Sequence, residues 1–297
     1  IEAKKYLNVL KNIPKADYLS KRGEIVVALK EDDFDYALNA LIKFKKNYEN
    51  DVWISDKLSM IYVQRKEWKM ALNALEKLNL KDNNKLKNLK AILYTFLNKD
   101  IEGSLKISDK PFYVLNEAIK KFLENQNIKG ALSLIEKSWP NLQCFKLIDT
   151  FLKHENKGIS DSLKRHKFLS KVLRKSKNSS HETNFALAFS AFEAKIWGES
   201  KKYLDLIPKS NWDKRVTELY KEISKQSPKI NLPSIPNQII DEPYWVCESC
   251  HSKVYDWQLV CKNCNNVNSL VWSKSKKIKE TKPFFLKNTL RHFPKMN

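Results

Sequence analysis

Ala37-Leu38-Asn39-Ala40-Leu41-Ile42-Lys43-Phe44 is echoed 34 positions later by Ala71-Leu72-Asn73-Ala74-Leu75-Glu76-Lys77-Leu78. The same step leads back to Ala3, Leu7 and Leu10, which stand 34 positions before Ala37, Leu41 and Phe44. Each set has a small residue followed by bulky apolar ones four and seven positions on, the spacing of one helix face. Ahead of Ala71, Leu58 and Tyr62 take the matching apolar places on a preceding helix.

A 34-residue period is that of tetratricopeptide repeats, where the small residue lets two antiparallel helices approach closely. Gly130-Ala131 with Ile135 repeats the pattern behind Ala118 and Phe122, and Ser200, Leu204 and Ile207 repeat it behind Leu187, Ala188 and Ala191. Poorer copies fall at 88–107 and 142–176. The expected fold is mainly α: a tetratricopeptide-like solenoid of five to six helical hairpins over residues 1–223, right-handed, in preference to a plain bundle. Its concave groove would take a peptide or helix of a partner, with Tyr62, Asn39 and Asn73 as candidate groove residues, although Tyr62 serves equally as core.

At 297 residues the chain is long enough for about two domains. Only five glycines, with many Leu, Lys, Asn and Ala, argue for helices and against a Gly-rich phosphate-binding fold. No apolar run approaches the roughly 20 residues of a membrane helix. The chain opens at Ile1, and a segment N-terminal to it is expected. The formal charge of +21 raises nucleic-acid binding, yet only six of the 55 basic residues are arginine, the residue that phosphate clamps and base readers favour. Lysine-rich solvated faces are the plainer explanation, with acidic lipid headgroups a compatible use. Steeply salt-dependent binding to single or double strands would restore the nucleic-acid reading, and no binding at low salt removes it.

Pro228, Pro233, Pro236 and Pro243 interrupt the helices over 224–243, since proline fixes φ and removes an amide donor. Ile230, Leu232, Ile235, Ile239 and Ile240 are too apolar for a free linker, so a strap docked on the last helices is expected. Residues 273–297 form a basic tail, with Phe284, Phe285, Leu286 and Phe293 as a docking point.

Four of the five cysteines spell C-x₂-C-x₁₀-C-x₂-C: Cys247, Cys250, Cys261 and Cys264. Two Cys-x₂-Cys turns can present four thiolates to one tetrahedral Zn²⁺, and full sulfur ligation leaves no open position, so the site would be structural. Iron in a rubredoxin-like site uses the same ligands; zinc is favoured where no electron-transfer partner is implied. Residues 244–272 are expected to form a small zinc ribbon, with Tyr244-Trp245-Val246 and Ser269-Leu270-Val271-Trp272 as β-rich runs and Trp257 packed over the metal site. A disulfide pairing would need an oxidising compartment, for which nothing else argues. Cys144, in an apolar helical stretch, reads as a buried, inert thiol.

Helical repeats, a proline-rich connector and Tyr244-Trp245-x-Cys247-x₂-Cys250, Trp257-x₃-Cys261-x₂-Cys264, Ser269-Leu270-x-Trp272 together resemble the C-terminal part of HemY-like proteins of α-proteobacteria. The resemblance covers most of the chain, but its specific motifs lie in the last thirty or so residues of the ordered pattern. It differs where His251 follows the second cysteine, usually glycine, and where Lys262 follows the third, often proline; neither change removes a ligand. The resemblance implies a membrane-anchored protein associated with haem biosynthesis, its anchor before Ile1 and this segment on the cytoplasmic side of the inner membrane. LapB-like proteins, adaptors in lipopolysaccharide regulation, share the order of parts.

No G-x-S-x-G, G-x-x-x-x-G-K-[ST], H-E-x-x-H or G-x-G-x-x-G occurs. His154, His166, His181, His251 and His292 are scattered among polar or basic neighbours and read as surface residues. Cys247-Glu248-Ser249-Cys250-His251 spells a haem-attachment sequence, but that use would strand Cys261 and Cys264. The expected function is therefore a scaffold or adaptor rather than an enzyme. It would have a protein partner in the groove, and no small-molecule substrate is expected.

Overall fold

The computed structural model describes residues 2–13, 16–98, 100–154, 161–175, 180–231 and 233–273. The side chain of Ala3, Leu232 of the strap, His292 and the tail from 274 onward lie outside the described residues. The fold is mainly helical, with a small antiparallel sheet near the C-terminus. The helices are α1 (Glu2–Lys11), α2 (Asp17–Lys30), α3 (Phe34–Asn47), α4 (Val52–Gln64) and α5 (Trp68–Glu76). There follow α6 (Asn84–Asn98), α7 (Ile101–Ile107), α8 (Phe112–Glu124), α9 (Ile128–Ser138) and α10 (Phe145–Lys153). The last are α11 (Ser162–Arg174), α12 (His181–Glu193), α13 (Trp197–Asp205) and α14 (Lys214–Gln226). None is long and apolar enough to cross a membrane, among the described residues.

Helix starts follow side-chain capping. Asp33, Asp51, Asp100, Asn127, Asp161, Ser180 and Asp213 each accept a backbone N–H from the first turn of the helix they precede. Four helix pairs, α2/α3, α4/α5, α8/α9 and α12/α13, are joined by one and the same turn. Asp32, Lys66, Gln126 and Lys195 hold φ near +60°, at 59°, 62°, 58° and 58°. In each case the next amide donates to the carbonyl five residues earlier: Asp33 to Ala28, Glu67 to Tyr62, Asn127 to Phe122 and Ile196 to Ala191. This is the Schellman ending, which usually places glycine at the left-handed position. None of the four residues is glycine, so the turn left no glycine signal in the sequence.

The small residue of each pair lies where the helices meet. Ala37, Ala71, Ala131 and Ser200 are fully buried, and so are Leu41, Leu75, Ile135 and Leu204 four positions on. Packing runs mainly between chain neighbours, and from α6 to α14 also between next-but-one neighbours. Most of the helical interior falls into two clusters, one mainly over α2–α6 and one from α7 to α14, with Leu105 touching both, and a third cluster surrounds the cysteines near the C-terminus.

The proline-rich connector begins later than expected. Helix α14 continues through Gln226 and stops where Pro228 forces residue 227 out of the α region. Ile230 packs on the second cluster, and Ile240 donates its amide to Trp212 O at 2.8 Å, whereas Ile235 and Ile239 are exposed. The connector is therefore tied down near both ends, and Lys209 Nζ donates to Ser234 Oγ at 2.7 Å between them. Beyond it, β1 (Trp245–Cys247) is the central strand between β2 (Lys253–Val254) and β3 (Leu270–Trp272). Trp245 faces Val254 on one side and Trp272 on the other.

The buried alanines and the left-handed turns generate opposite expectations for substitution. Ala71→Leu lowers stability by about 1–3 kcal/mol through overpacking, whereas Lys66→Gly and Gln126→Gly raise it by up to about 1 kcal/mol by relieving the left-handed strain. Urea midpoints of the three variants check both signs.

Candidate metal centre

Strand β1 delivers Cys247 into a tight turn, and the segment after Leu259 delivers Cys261 into a second turn of the same geometry. His251 N–H donates to Cys247 O at 2.9 Å, and Asn265 N–H donates to Cys261 O at 2.8 Å. Cys247 N–H donates to Ser252 O at 3.1 Å, and Cys261 N–H donates to Asn266 O at 2.9 Å. His251 and Asn265, at φ 57° and 55°, occupy equivalent left-handed positions that favour glycine or asparagine. The histidine at 251 thus leaves the knuckle geometry unchanged.

The two turns bring the four sulfurs together, all within 4.8 Å of one another. Cys247 Sγ lies 3.6 Å from Cys264 Sγ, and Cys250 Sγ lies 3.7 Å from Cys261 Sγ. Sulfurs bound at about 2.3 Å on the corners of a tetrahedron are separated by about 3.8 Å, whereas a disulfide needs about 2.0 Å. The thiols are free and the spacing fits a metal ion. Cys247 and Cys261 are fully buried, and hydroxyls surround the sulfurs: Ser269 Oγ at 3.3 Å from Cys247, Ser252 Oγ at 3.1 Å from Cys250. Burial pushes the Cys250 thiol up, but hydrogen bonds from Asn263 and Ser252 outweigh it and bring the thiol down to about 6. Cys264 moves the other way, raised by burial and by sharing a proton with the neighbouring thiols. Four thiolates this close need a cation among them, and a divalent metal meets that need. His251 is exposed and outside the ligand group.

The module that carries these cysteines packs along the helices rather than on their C-terminal end. Its Leu259 and Val267 enter the apolar cluster of α2–α6. Gln64 Nε2 donates to Asn265 O at 2.9 Å, Asn268 Nδ2 donates to Lys85 O at 3.2 Å, and Trp272 Nε1 donates to Gln143 O at 2.9 Å. Contacts with α4, α6 and the turn before α10 place it against the middle of the helical body. Trp257 packs beside the cysteine cluster and also ends a ladder of stacked rings. Trp68–Phe96, Phe96–Tyr113 and Tyr113–Trp257 have centroids 5.8, 4.5 and 5.1 Å apart and planes inclined by 8°, 14° and 21°. The ladder, invisible as a sequence pattern, ties α5, α6 and α8 to the cysteine module.

Cys144 is fully buried beside Trp245, Cys247 and Cys261, and burial pushes its thiol up to about 12. It stands just before α10 rather than inside a helix, because α10 begins at Phe145. Of the histidines read as surface residues, His166 is buried and His181 is partly buried, its side chain 8% exposed. His166 is 3% exposed on the inner face of α11, with Nδ1 2.8 Å from Ser190 Oγ and Nε2 3.3 Å from Ser170 Oγ. His181 opens α12 with Nε2 3.4 Å from Asp213 Oδ2. Polar neighbours along the chain misled here; the neighbours that matter are across the helix interface. His181, Glu182 and Asp213 form a second group of possible ligands, but Arg215 already lies between Glu182 and Asp213, bonded to both. That cluster carries its own cation and, through Asp213 Oδ1 accepting Val216 N–H, starts α14. Of the candidate groove residues, Tyr62 is buried, and with Asn73 it lines a cavity of about 500 Å³ beside Ile42 and Met70. Asn39 is exposed and apart from that cavity.

No protein-family model matches the chain, and no curated protein matches it.

Loading with metal is expected to protect all four clustered thiols from alkylation, leaving Cys144 shielded by burial. Stripping the metal, or Cys261→Ser, lowers the melting temperature of the helices as well as of the sheet, by about 5–10 °C, because Leu259 and Val267 belong to the helical core. Far-ultraviolet circular dichroism and thiol counting read both. Acid acts separately: burial pushes His166 and His181 below the ordinary imidazole range, against the pull of Glu199 and Asp213. The unfolded chain then binds protons that the fold resists. Stability is full above about pH 6.5 and falls as the pH drops toward the lowered folded values. Urea midpoints between about pH 7 and pH 5 measure that loss, which His166→Gln reduces.

Proposed function

We propose that this chain is a non-enzymatic scaffold: a tetratricopeptide-like solenoid, braced by a structural Cys₄ zinc ribbon, that holds a protein partner. The observation that carries the reading is the fourfold recurrence of one unit, a buried small residue behind a left-handed turn, at Ala37, Ala71, Ala131 and Ser200. Stacked helix pairs of this kind build long concave surfaces. The cavity between α3, α4 and α5 suits a peptide: Ile42 and Met70 are exposed apolar contacts, Lys45, Lys46 and Glu49 are charged neighbours, and Asn73 offers a side-chain amide. Zinc is favoured over iron because nothing beside the four sulfurs suggests electron transfer. The Tyr244-Trp245-x-Cys247 motif and the order of parts support placing the chain with HemY-like proteins, anchored at the inner membrane and associated with haem biosynthesis. A LapB-like adaptor shares that architecture.

Met70→Glu is the direct probe, because Met70 is 47% exposed and its loss opens no buried space. Leu206→Glu, 55% exposed on another part of the surface, is the control. Proteins recovered with the wild-type chain and with Leu206→Glu, but reduced about tenfold or more with Met70→Glu, are the expected partners. Recovery that is equal across all three chains rejects the groove. Metal analysis tests the ribbon: one colourless zinc per chain supports it, and a red iron–sulfur absorption or an extraction-resistant Soret band rejects it.

A further inference from the structure

Where the cysteine module meets α8 and α10, the two surfaces leave a cleft of about 630 Å³. That is the size of a site for a small organic group rather than for a metal ion or a folded partner. Eight aromatic side chains line it, Phe112, Trp245, Trp257 and Trp272 among them. Their planes are inclined to one another: 58° for Phe112 with Trp245, 48° for Phe112 with Trp257 and 59° for Trp245 with Trp272. The rings are tilted in mutual contact, with Trp245 buried at the back and Phe112, Trp257 and Trp272 half-buried toward the cleft. Tyr255, 80% exposed, stands at its edge.

The charges around the cleft decide what it can take. Every cation lining it faces an acid: Lys120 Nζ is 2.6 Å from Glu117, Lys146 Nζ is 3.8 Å from Asp256, and Arg215 is bound by Glu182 and Asp213. Phosphate or carboxylate ligands would have to break these pairs. Glu242, by contrast, lines the cleft without a hydrogen bond or ion-pair contact to any described residue. Three cations and three carboxylates line the cleft, and Glu182 and Asp213 behind Arg215 bring the carboxylates to five, in a protein whose formal charge is +21. Aromatic faces carry negative potential and attract ammonium and guanidinium groups, most strongly where water is excluded.

We infer that this cleft binds an organic cation, an alkylammonium or guanidinium group held among Phe112, Trp245, Trp257 and Trp272 and countered by Glu242. The site is separate from the groove beside Met70 and stands without it. The occupant we assign is a free small-molecule cation; a lysine of a partner and this chain's own residues 274–297 share its chemistry and are outcomes of the test. Those residues follow the cleft-lining Trp272 and carry eight Lys and Arg against one Glu.

The test uses the metal-loaded full chain, choline as the probe, and its uncharged isostere 3,3-dimethylbutan-1-ol as the control. Tryptophan fluorescence and calorimetry read binding up to about 50 mM. Choline is expected to bind about tenfold or more tightly than the isostere. Glu242→Gln, which keeps the shape, and Tyr255→Ala, which removes an exposed ring, each weaken choline by about five- to tenfold with unchanged circular dichroism. A full-length chain with Lys274, Lys276, Lys277 and Lys279 changed to Gln separates the sources, alongside pentalysine. Choline binding that appears or strengthens only in that chain supports the cation site with the tail as occupant. Pentalysine binding more tightly than choline in both chains supports a partner's lysine. Equal binding of choline and isostere, no cation binding in either chain, or indifference to Glu242→Gln overturns the inference.

Discussion

Two helices come into close contact only where one of them carries almost no side chain, and that constraint organises this protein. Ala37, Ala71, Ala131 and Ser200 meet it, each buried completely against its partner helix. Once the helices are that close, the chain must reverse within a few residues. The left-handed Schellman turn at Asp32, Lys66, Gln126 and Lys195 is what such a reversal requires. Small residue and turn therefore recur together, and the bulky residues four and seven positions on fill the interior that the approach creates.

The cysteine module depends on those helices in turn. Some thirty residues with three strands of two or three residues cannot bury enough apolar surface to fold alone. Four converging sulfurs supply one remedy and the helical body the other: Leu259 and Val267 enter its core, and Trp257 extends its aromatic ladder. A metal bound at the sulfur site would couple to the packing of α4–α8, since metal-binding energy is folding energy for whatever rests on the site. The aromatic cleft exists for the same reason. Phe112 and Tyr113 come from α8, Trp245, Trp257 and Trp272 from the module, and only docking makes them neighbours.

Periodicity made the helical repeat legible, because one face of a helix and one step of 34 residues are both local regularities. Ligand spacing made the sulfur site legible, because two Cys-x₂-Cys turns can close on one ion with little help from elsewhere. His166 and His181 depart from the surface expectation for the opposite reason. Their chain neighbours are polar, but a helix buries one face regardless of what flanks it in sequence, and Ser190 and Asp213 receive them from other helices. The left-handed turns escaped notice because aspartate, lysine and glutamine stand where glycine is customary. Helix α14 runs past residue 224 to Gln226 because Pro228 bars the α region only to the residue before it.

By itself, the sequence determined the mainly helical body, the proline-rich interruption and the grouping of four cysteines, since each is written in residues near one another or at a fixed step. Only the tertiary structure decided where the cysteine module sits. Its hydrogen bonds to Gln64, Lys85 and Gln143 join positions 129 to 201 residues apart, and no local pattern records a partner at that distance. The module comes to rest on the middle of the helices because that is where Leu259, Val267 and Trp257 find apolar and aromatic surface to cover.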